Sequence, residues 1–210
     1  MSLVDIGGGF PGNKGGSAGP NMPSFQQIAA TVRSSIDEFK QVVNVETPLE
    51  LRFIAEPCRY FVSASTTIAT KVYARKGGKG KTQALYVDDG VYGSFNNVVY
   101  DHAIPTPVRL TSRLDQLNGN QEQHEQIPTA VFGPTCDGLD QLCALSDTKL
   151  ERVEENEWLI FENFGAYTHT ASFVFNGYTH VPKKVHCISS VALGVNSEST
   201  DDEVLSENLA

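Results

Sequence analysis

No stretch of this 210-residue chain approaches the roughly 18 apolar residues that a membrane-crossing helix needs. The opening Met1-Ser2-Leu3-Val4-Asp5 lacks the basic segment and apolar core of an export leader, so a cytoplasmic protein with no membrane partner is expected. Cysteine is sparse. Cys58, Cys136, Cys143 and Cys187 are too few for a secreted disulfide scaffold and form no CxxC pair, so free thiols are expected and no metal centre. Positive charge is also short: 16 Lys and Arg face 25 Asp and Glu, a net charge of -9, which argues against nucleic acid as a partner. Five of those negatives, Glu198, Asp201, Asp202, Glu203 and Glu207, follow the last lysine, Lys184. The polar, aperiodic end, 189–210, is therefore expected to be disordered. The remainder, at 40 % hydrophobic and 20 % charged residues overall, has the composition of an ordinary globular chain.

Leu3-Val4-Asp5-Ile6 reads as a short buried strand that ends in Gly7-Gly8-Gly9-Phe10-Pro11-Gly12, and the chain to Pro23 is too rich in Gly, Pro, Asn and Ser for regular structure. Ser24 with Gln27 makes a capping box, after which Phe25, Ile28, Val32, Ile36, Phe39 and Val43 recur at helical spacing. Leu51 to Ala55 forms a second strand. Strand, loop, helix and strand over residues 1–60 make a βαβ unit of a parallel sheet or barrel. From Phe61 the pattern changes to β-branched and aromatic runs at Thr66 to Tyr73, Gln83 to Val87, Val98 to Tyr100, Trp158 to Phe161 and Phe173 to Phe175. These imply a mostly antiparallel β domain over 61–188. Lys76-Gly77-Gly78-Lys79-Gly80-Lys81 reads as a solvated hairpin connection, and Ser112 to Gln126 as a surface excursion.

Three places carry chemistry. The glycine run after the first strand lets backbone amides approach an anion with no Cβ in the way, although a tight structural turn needs the same residues. The second strand ends in Glu56-Pro57-Cys58-Arg59, at the carboxyl edge where α/β proteins build sites. Arg59 could pair with Glu56. The glycine run one βα unit earlier favours phosphate instead, which a guanidinium matches bidentately. The third place is Phe132-Gly133-Pro134-Thr135-Cys136-Asp137-Gly138-Leu139-Asp140, a thiol beside a carboxylate among turn residues.

Together with Tyr86 to His102, with Glu162-Asn163-Phe164-Gly165-Ala166-Tyr167-Thr168 and with Phe175-Asn176-Gly177-Tyr178, these motifs resemble, in order, the C-terminal half of the eukaryotic-type ornithine decarboxylases. These are alanine-racemase-like, group IV pyridoxal-phosphate enzymes. The resemblance implies an α/β plus all-β fold: the last β/α units of a (β/α)8 barrel, then a C-terminal β domain. It implies pyridoxal 5'-phosphate as cofactor, with Gly9, Cys58, Arg59 and Tyr167 at the phosphate and Glu56 at the pyridine nitrogen, where a carboxylate keeps the ring an electron sink. Tyr100, Asp101, Asp137 and Phe175 would form the substrate pocket. Two carboxylates there suit the distal ammonium of a diamino acid, ornithine before diaminopimelate, with lysine and arginine left open by pocket depth. Cys136 matches the proton donor to Cα, a role open to a thiol with an unperturbed pKa of about 8.5. The resemblance also implies a homodimer with shared sites, Cys136 and Asp137 crossing from the opposite subunit, with Tyr92 near that interface and antizyme a candidate partner. None of the five histidines matches a catalytic position.

The chain departs from the pattern at two points. Cys58 stands where the family has glycine near the phosphate, and a side chain there crowds the approach. No lysine matches the Schiff-base motif, which in the family precedes the segment at Leu3. The expectation is a fragment of an ornithine decarboxylase, its apolar barrel faces exposed and its isolated activity in doubt. The alternative is a noncatalytic regulator like the antizyme inhibitors.

Overall fold

The computed structural model of the protein describes residues 3–12, 23–43, 51–77, 81–119 and 124–178. The segment 13–22, glycines 78 and 80 of the lysine-rich connection, Cys187 and the acidic end 189–210 lie outside the described residues.

The βαβ unit forms as its pattern predicts. Strand β1 (Leu3–Asp5) pairs in parallel with β2 (Arg52–Ile54), Val4 facing Phe53, and helix α1 (Phe25–Val43) connects them. The capping box closes at its start: Gln27 N donates to Ser24 Oγ (3.3 Å) and Ser24 N to Gln27 Oε1 (2.7 Å), satisfying two amides that helix geometry leaves without partners. Phe25 stacks on Tyr60 with ring centroids 4.0 Å apart, and Phe39 meets Phe53 edge-on. These rings anchor the helix at both ends. No residue of α1 is fully buried, and Leu3, Phe39, Val42 and Ile54 remain exposed, the uncovered apolar faces that so short a piece of parallel sheet must leave.

A short helix, α2 (Cys58–Val62), and a 3-10 turn (Ser63–Ser65) lead into a seven-stranded sheet. Its strands are β3 (Ile68–Lys76), β4 (Gln83–Val87), β5 (Pro107–Arg109), β6 (Ile127–Phe132), β7 (Gln141–Cys143), β8 (Lys149–Leu150) and β9 (Trp158–Phe161). The order is β5-β9-β3-β4-β6-β7, with β8 also on β6. All these pairings are antiparallel except β4 with β6. A parallel pair requires a crossover, and residues 88–126 supply it through α3 (Asn97–Tyr100), β5 and α4 (Leu110–Leu117).

Three sequence readings need correction. Val98 to Tyr100 lies in α3, not a strand: the amides of Val99 and Tyr100 both reach the Asn96 carbonyl (3.0 Å each), so the turns after Gly90 continue into helix. Local β-propensity yields to tertiary context there. Phe173 to Phe175 forms only a single bridge, Phe175 with Tyr178, because Phe173 N donates to the Tyr92 carbonyl (3.0 Å) and both phenyl rings pack on Tyr92. The excursion after Ser112 begins inside α4. Four strands, β5 to β8, went unread. Pro128 inside β6 argues against a strand, and the other three are two or three residues long.

The core lies within this sheet domain. Alternation along β4 places Gln83, Leu85 and Val87 inward, facing Val72, Val131, Leu159 and Phe161 in one cluster. Phe95, fully buried, packs edge-to-face on Phe161 (4.7 Å) and Phe164 (4.9 Å). The buried Gln83 side chain is satisfied by Thr129 Oγ1 (3.0 Å) and the Glu151 carbonyl (2.9 Å), and its own oxygen accepts from Val153 N (3.2 Å). Phe95→Ala removes the central ring of this cluster. It should lower the unfolding free energy in urea by about 4 kcal/mol, whereas the exposed Val42→Ala on α1 should change it by less than about 0.5 kcal/mol.

Candidate active site

The carboxyl edge of the two parallel strands is where the site begins. After β1 the chain turns through Gly7 (φ 72°) and Gly9 (φ 86°), conformations that side chains resist. Asp5 Oδ1 accepts from Gly7 N (2.8 Å), and Glu56 N donates to the Gly7 carbonyl (2.9 Å). The turn is thereby tied to the end of β2. Among the described residues a Cβ built on Gly9 would meet nothing within 4 Å, so they leave the space before Gly9 open. Glu56 is exposed at this edge. Cys58 N donates to the Glu56 carbonyl (2.8 Å) across Pro57, so this amide is already used within the turn.

Arg59 leaves α2 with its Nη2 on Asp101 Oδ2 at 2.8 Å and its guanidinium 4.7 Å from the Tyr167 ring centroid. Its ion-pair partner is Asp101, at the end of α3, and not Glu56. The Cys58 thiol is the main cause raising the Tyr167 phenol above its ordinary value of 10.0. Gly9, Glu56, Cys58, Arg59, Tyr167 and Asp101, drawn from four distant parts of the sequence, thus reach one edge of the molecule. Glycine amides on an open face, a guanidinium and a phenol form a donor set that fits a phosphate monoester, and Glu56 adds an exposed carboxylate at the same edge.

A second group forms around Tyr92. Its hydroxyl donates to Asp137 Oδ2, and its ring lies parallel to Phe175 with centroids 3.8 Å apart while Phe173 meets it edge-on at 5.5 Å. Asp137 also accepts from Leu139 N (3.0 Å). That amide first, and the Tyr92 hydroxyl second, lower the Asp137 carboxyl below 3.8. The same bond, from the other side, pushes the Tyr92 phenol up to about 12. Cys136, beside Asp137, is exposed, and Tyr100 is exposed on α3. Cys143 is buried against the Pro105 carbonyl, burial pushing its thiol up to about 12. That is packing, as its lack of a motif predicts.

The sequence reading missed three residues that hold these groups in place. Asp140, only 1 % exposed, accepts from Val91 N (2.8 Å), Thr135 N (2.9 Å) and Thr135 Oγ1 (2.7 Å), joining the Tyr92 loop to the Cys136 loop. A Cβ on either Gly90 or Gly133 would overlap its carboxylate, which explains both glycines. Asn96 Nδ2 bridges the carbonyls of Gly93 (2.8 Å) and Thr168 (2.6 Å). Gly165 N donates to the Ser63 carbonyl (2.9 Å), and a Cβ there would overlap the Val62 carbonyl. Asp140 and Gly165 stood inside the quoted motifs. Only their distant partners distinguish them from ordinary turn residues.

Residues 59–165 match the family model described as pyridoxal-dependent decarboxylase, C-terminal sheet domain. Antizyme inhibitor 2 of Xenopus laevis is 36 % identical over 194 residues, covering 87 % of this chain and 38 % of that protein. The chloroplastic ornithine decarboxylase of Nicotiana glutinosa is 35 % identical over 178 residues, covering 85 % and 37 %. The solved lysine/ornithine decarboxylase of Vibrio vulnificus, complexed with putrescine, superposes with a TM-score of 0.64 at 26 % identity, over 85 % of this chain and 42 % of that one. The chain spans less than two fifths of the length of these two curated relatives.

Tyr167 sits at φ 55°, a left-handed conformation that costs a non-glycine residue about 1–3 kcal/mol and persists only where the surroundings impose it. Gly165→Ala should therefore destabilise the chain by about 2 kcal/mol and release Tyr167 from the Cys58 thiol, the main cause raising its phenol, read as a fall of that phenol toward 10.0 in an ultraviolet pH titration. Tyr92→Phe removes one of two donors to Asp137. NMR titration should then show its carboxyl moving up toward 3.8, while the Leu139 amide still holds it below that value. The stabilisation from Asp137, present above its unfolded pKa and lost as pH falls through its lowered folded one, should shrink accordingly.

Proposed function

Because the chain belongs to the pyridoxal-dependent decarboxylases through their C-terminal sheet domain, we propose that it is the cofactor-phosphate and diamine-binding part of an ornithine decarboxylase, converting L-ornithine to putrescine and CO2. The observation that carries this reading is the convergence of the Gly7–Gly9 turn, Glu56, Arg59, Tyr167 and Asp101 at one edge. When bound there, pyridoxal phosphate would supply an electron sink for the carbanion left by departing CO2. The residues of this chain would hold that cofactor and the diamine end of the substrate. The Gly9 amide, Arg59 and Tyr167 hold the phosphate. Glu56 keeps the ring nitrogen protonated.

Asp101 on one side, and Asp137 contributed by the second subunit of a homodimer, would hold the distal ammonium of the substrate, with Tyr100 and Phe175 walling its methylene chain. Cys136 gives its thiol proton to Cα. In such sharing one chain contributes a half to each of two sites. Exposed thiols at Cys58 and Cys136 favour a reducing, cytoplasmic setting. Among the described residues no helix is long and apolar enough to cross a membrane.

A second reading has its own support. The Cys58 amide, which the phosphate would use, is spent on the Glu56 carbonyl, and the Cys58 thiol raises the phenol of Tyr167, a second phosphate donor. Similarity to an antizyme inhibitor fits a regulator that binds antizyme and performs no chemistry.

Complementation separates the two. Co-expressed with the N-terminal half of the Nicotiana enzyme, the chain should release CO2 from labelled ornithine, and Cys136→Ala should reduce turnover by about 10²-fold or more. Assembly without turnover or pyridoxal-phosphate binding, with both restored by Cys58→Gly, would instead establish the regulatory reading.

A further inference from the structure

We propose that the Arg59–Asp101 ion pair links two subsites, so that an anion held by Arg59 and a diamine held by Asp101 bind with positive cooperativity. The inference rests on the reading above, in which Arg59 takes the phosphate and Asp101 an ammonium. In the free chain the two side chains hold one another: Nη2 stands 2.8 Å from Oδ2, and the side chains are 19 % and 31 % exposed. Each already carries an opposite charge at the distance its own ligand would occupy.

An anion arriving at Arg59 must displace or share the Asp101 carboxylate. An ammonium arriving at Asp101 must displace the guanidinium. Whichever ligand comes first breaks the pair, and the second no longer has to displace that contact. Linkage requires the effect to be the same in both directions. The neighbouring structure keeps both groups in place as they exchange partners. Tyr167 lies across the guanidinium at 4.7 Å, so Arg59 retains a ring contact whichever anion it holds. The Asp101 amide is fixed on the Asn97 carbonyl at 2.9 Å, so its backbone stays where it is when the carboxylate is freed. Cooperativity of this origin needs no movement of the fold. A partly exposed pair is worth little, so the coupling should be a factor of about 3–5.

Isothermal titration of the full chain tests this with inorganic phosphate and putrescine, each alone and each with the other near saturation, at constant ionic strength. Each ligand should lower the Kd of the other about 3–5-fold. In Asp101→Asn, phosphate should bind more tightly than to the parent chain and putrescine should no longer affect it. Arg59→Gln provides the mirror test if that variant does not fold: putrescine should bind more tightly and become indifferent to phosphate. Binding of both ligands with neither Kd altered by the other overturns the linkage and leaves the proposed function standing. Phosphate affinity that is undetectable, or equal in the parent and Arg59→Gln, overturns the proposed function and the linkage with it.

Discussion

Gly165 brings its amide 2.9 Å from the Ser63 carbonyl, and through that approach the chain leaving β9 meets the short helix that carries Arg59. The fit admits no Cβ. Two further amide contacts follow from it: Phe164 N reaches the Thr66 carbonyl (2.9 Å), and Thr168 is drawn toward Asn96. Between them Tyr167 is held at a positive φ with its ring across Arg59. The site therefore depends on a backbone contact more than on any side chain within it. Its strained residue is imposed by the well-packed ones on either side, the usual origin of such conformations near functional groups.

Asp140 performs the corresponding task for the second group. A buried carboxylate is costly unless its oxygens are satisfied, and here three donors from two loops converge on it. The outcome is a fixed relation between Tyr92, on the loop after β4, and Asp137, on the loop after β6. The parallel pairing of those two strands brings both loops out at the same end of the sheet. Tyr92 and Asp137 then set each other's proton affinity. Sheet topology, two glycines without a Cβ and one buried acid thus account for a pair that lies 45 residues apart in the chain.

Much of the barrel-like unit could be read residue by residue. The capping box, the spacing along α1 and the two flanking strands all appear where their patterns placed them, because each signal is local. The long strands β3, β4 and β9 were visible for the same reason. The short strands were not. Two or three residues carry no period, and β6 contains a proline that local rules count against it. Val98 to Tyr100 shows the opposite failure, a β-rich triplet turned helical by the Asn96 carbonyl. Resemblance to a family supplied the site residues, yet it gave no sign that Arg59 would find Asp101 or that Cys58 would engage Tyr167.

The amino-acid sequence by itself determined the class of chemistry: the kinds of donor, acceptor, thiol and carboxylate available, and the order of elements that carries them. These are properties of residues and of their near neighbours, and they survive without coordinates. Tertiary structure alone decided the partners. Arg59 meets Asp101 across 42 positions, and Gln83 is satisfied by groups 46 and 68 positions away. Such pairings follow from strand register and from where the chain may pass without a Cβ, and no local pattern encodes either.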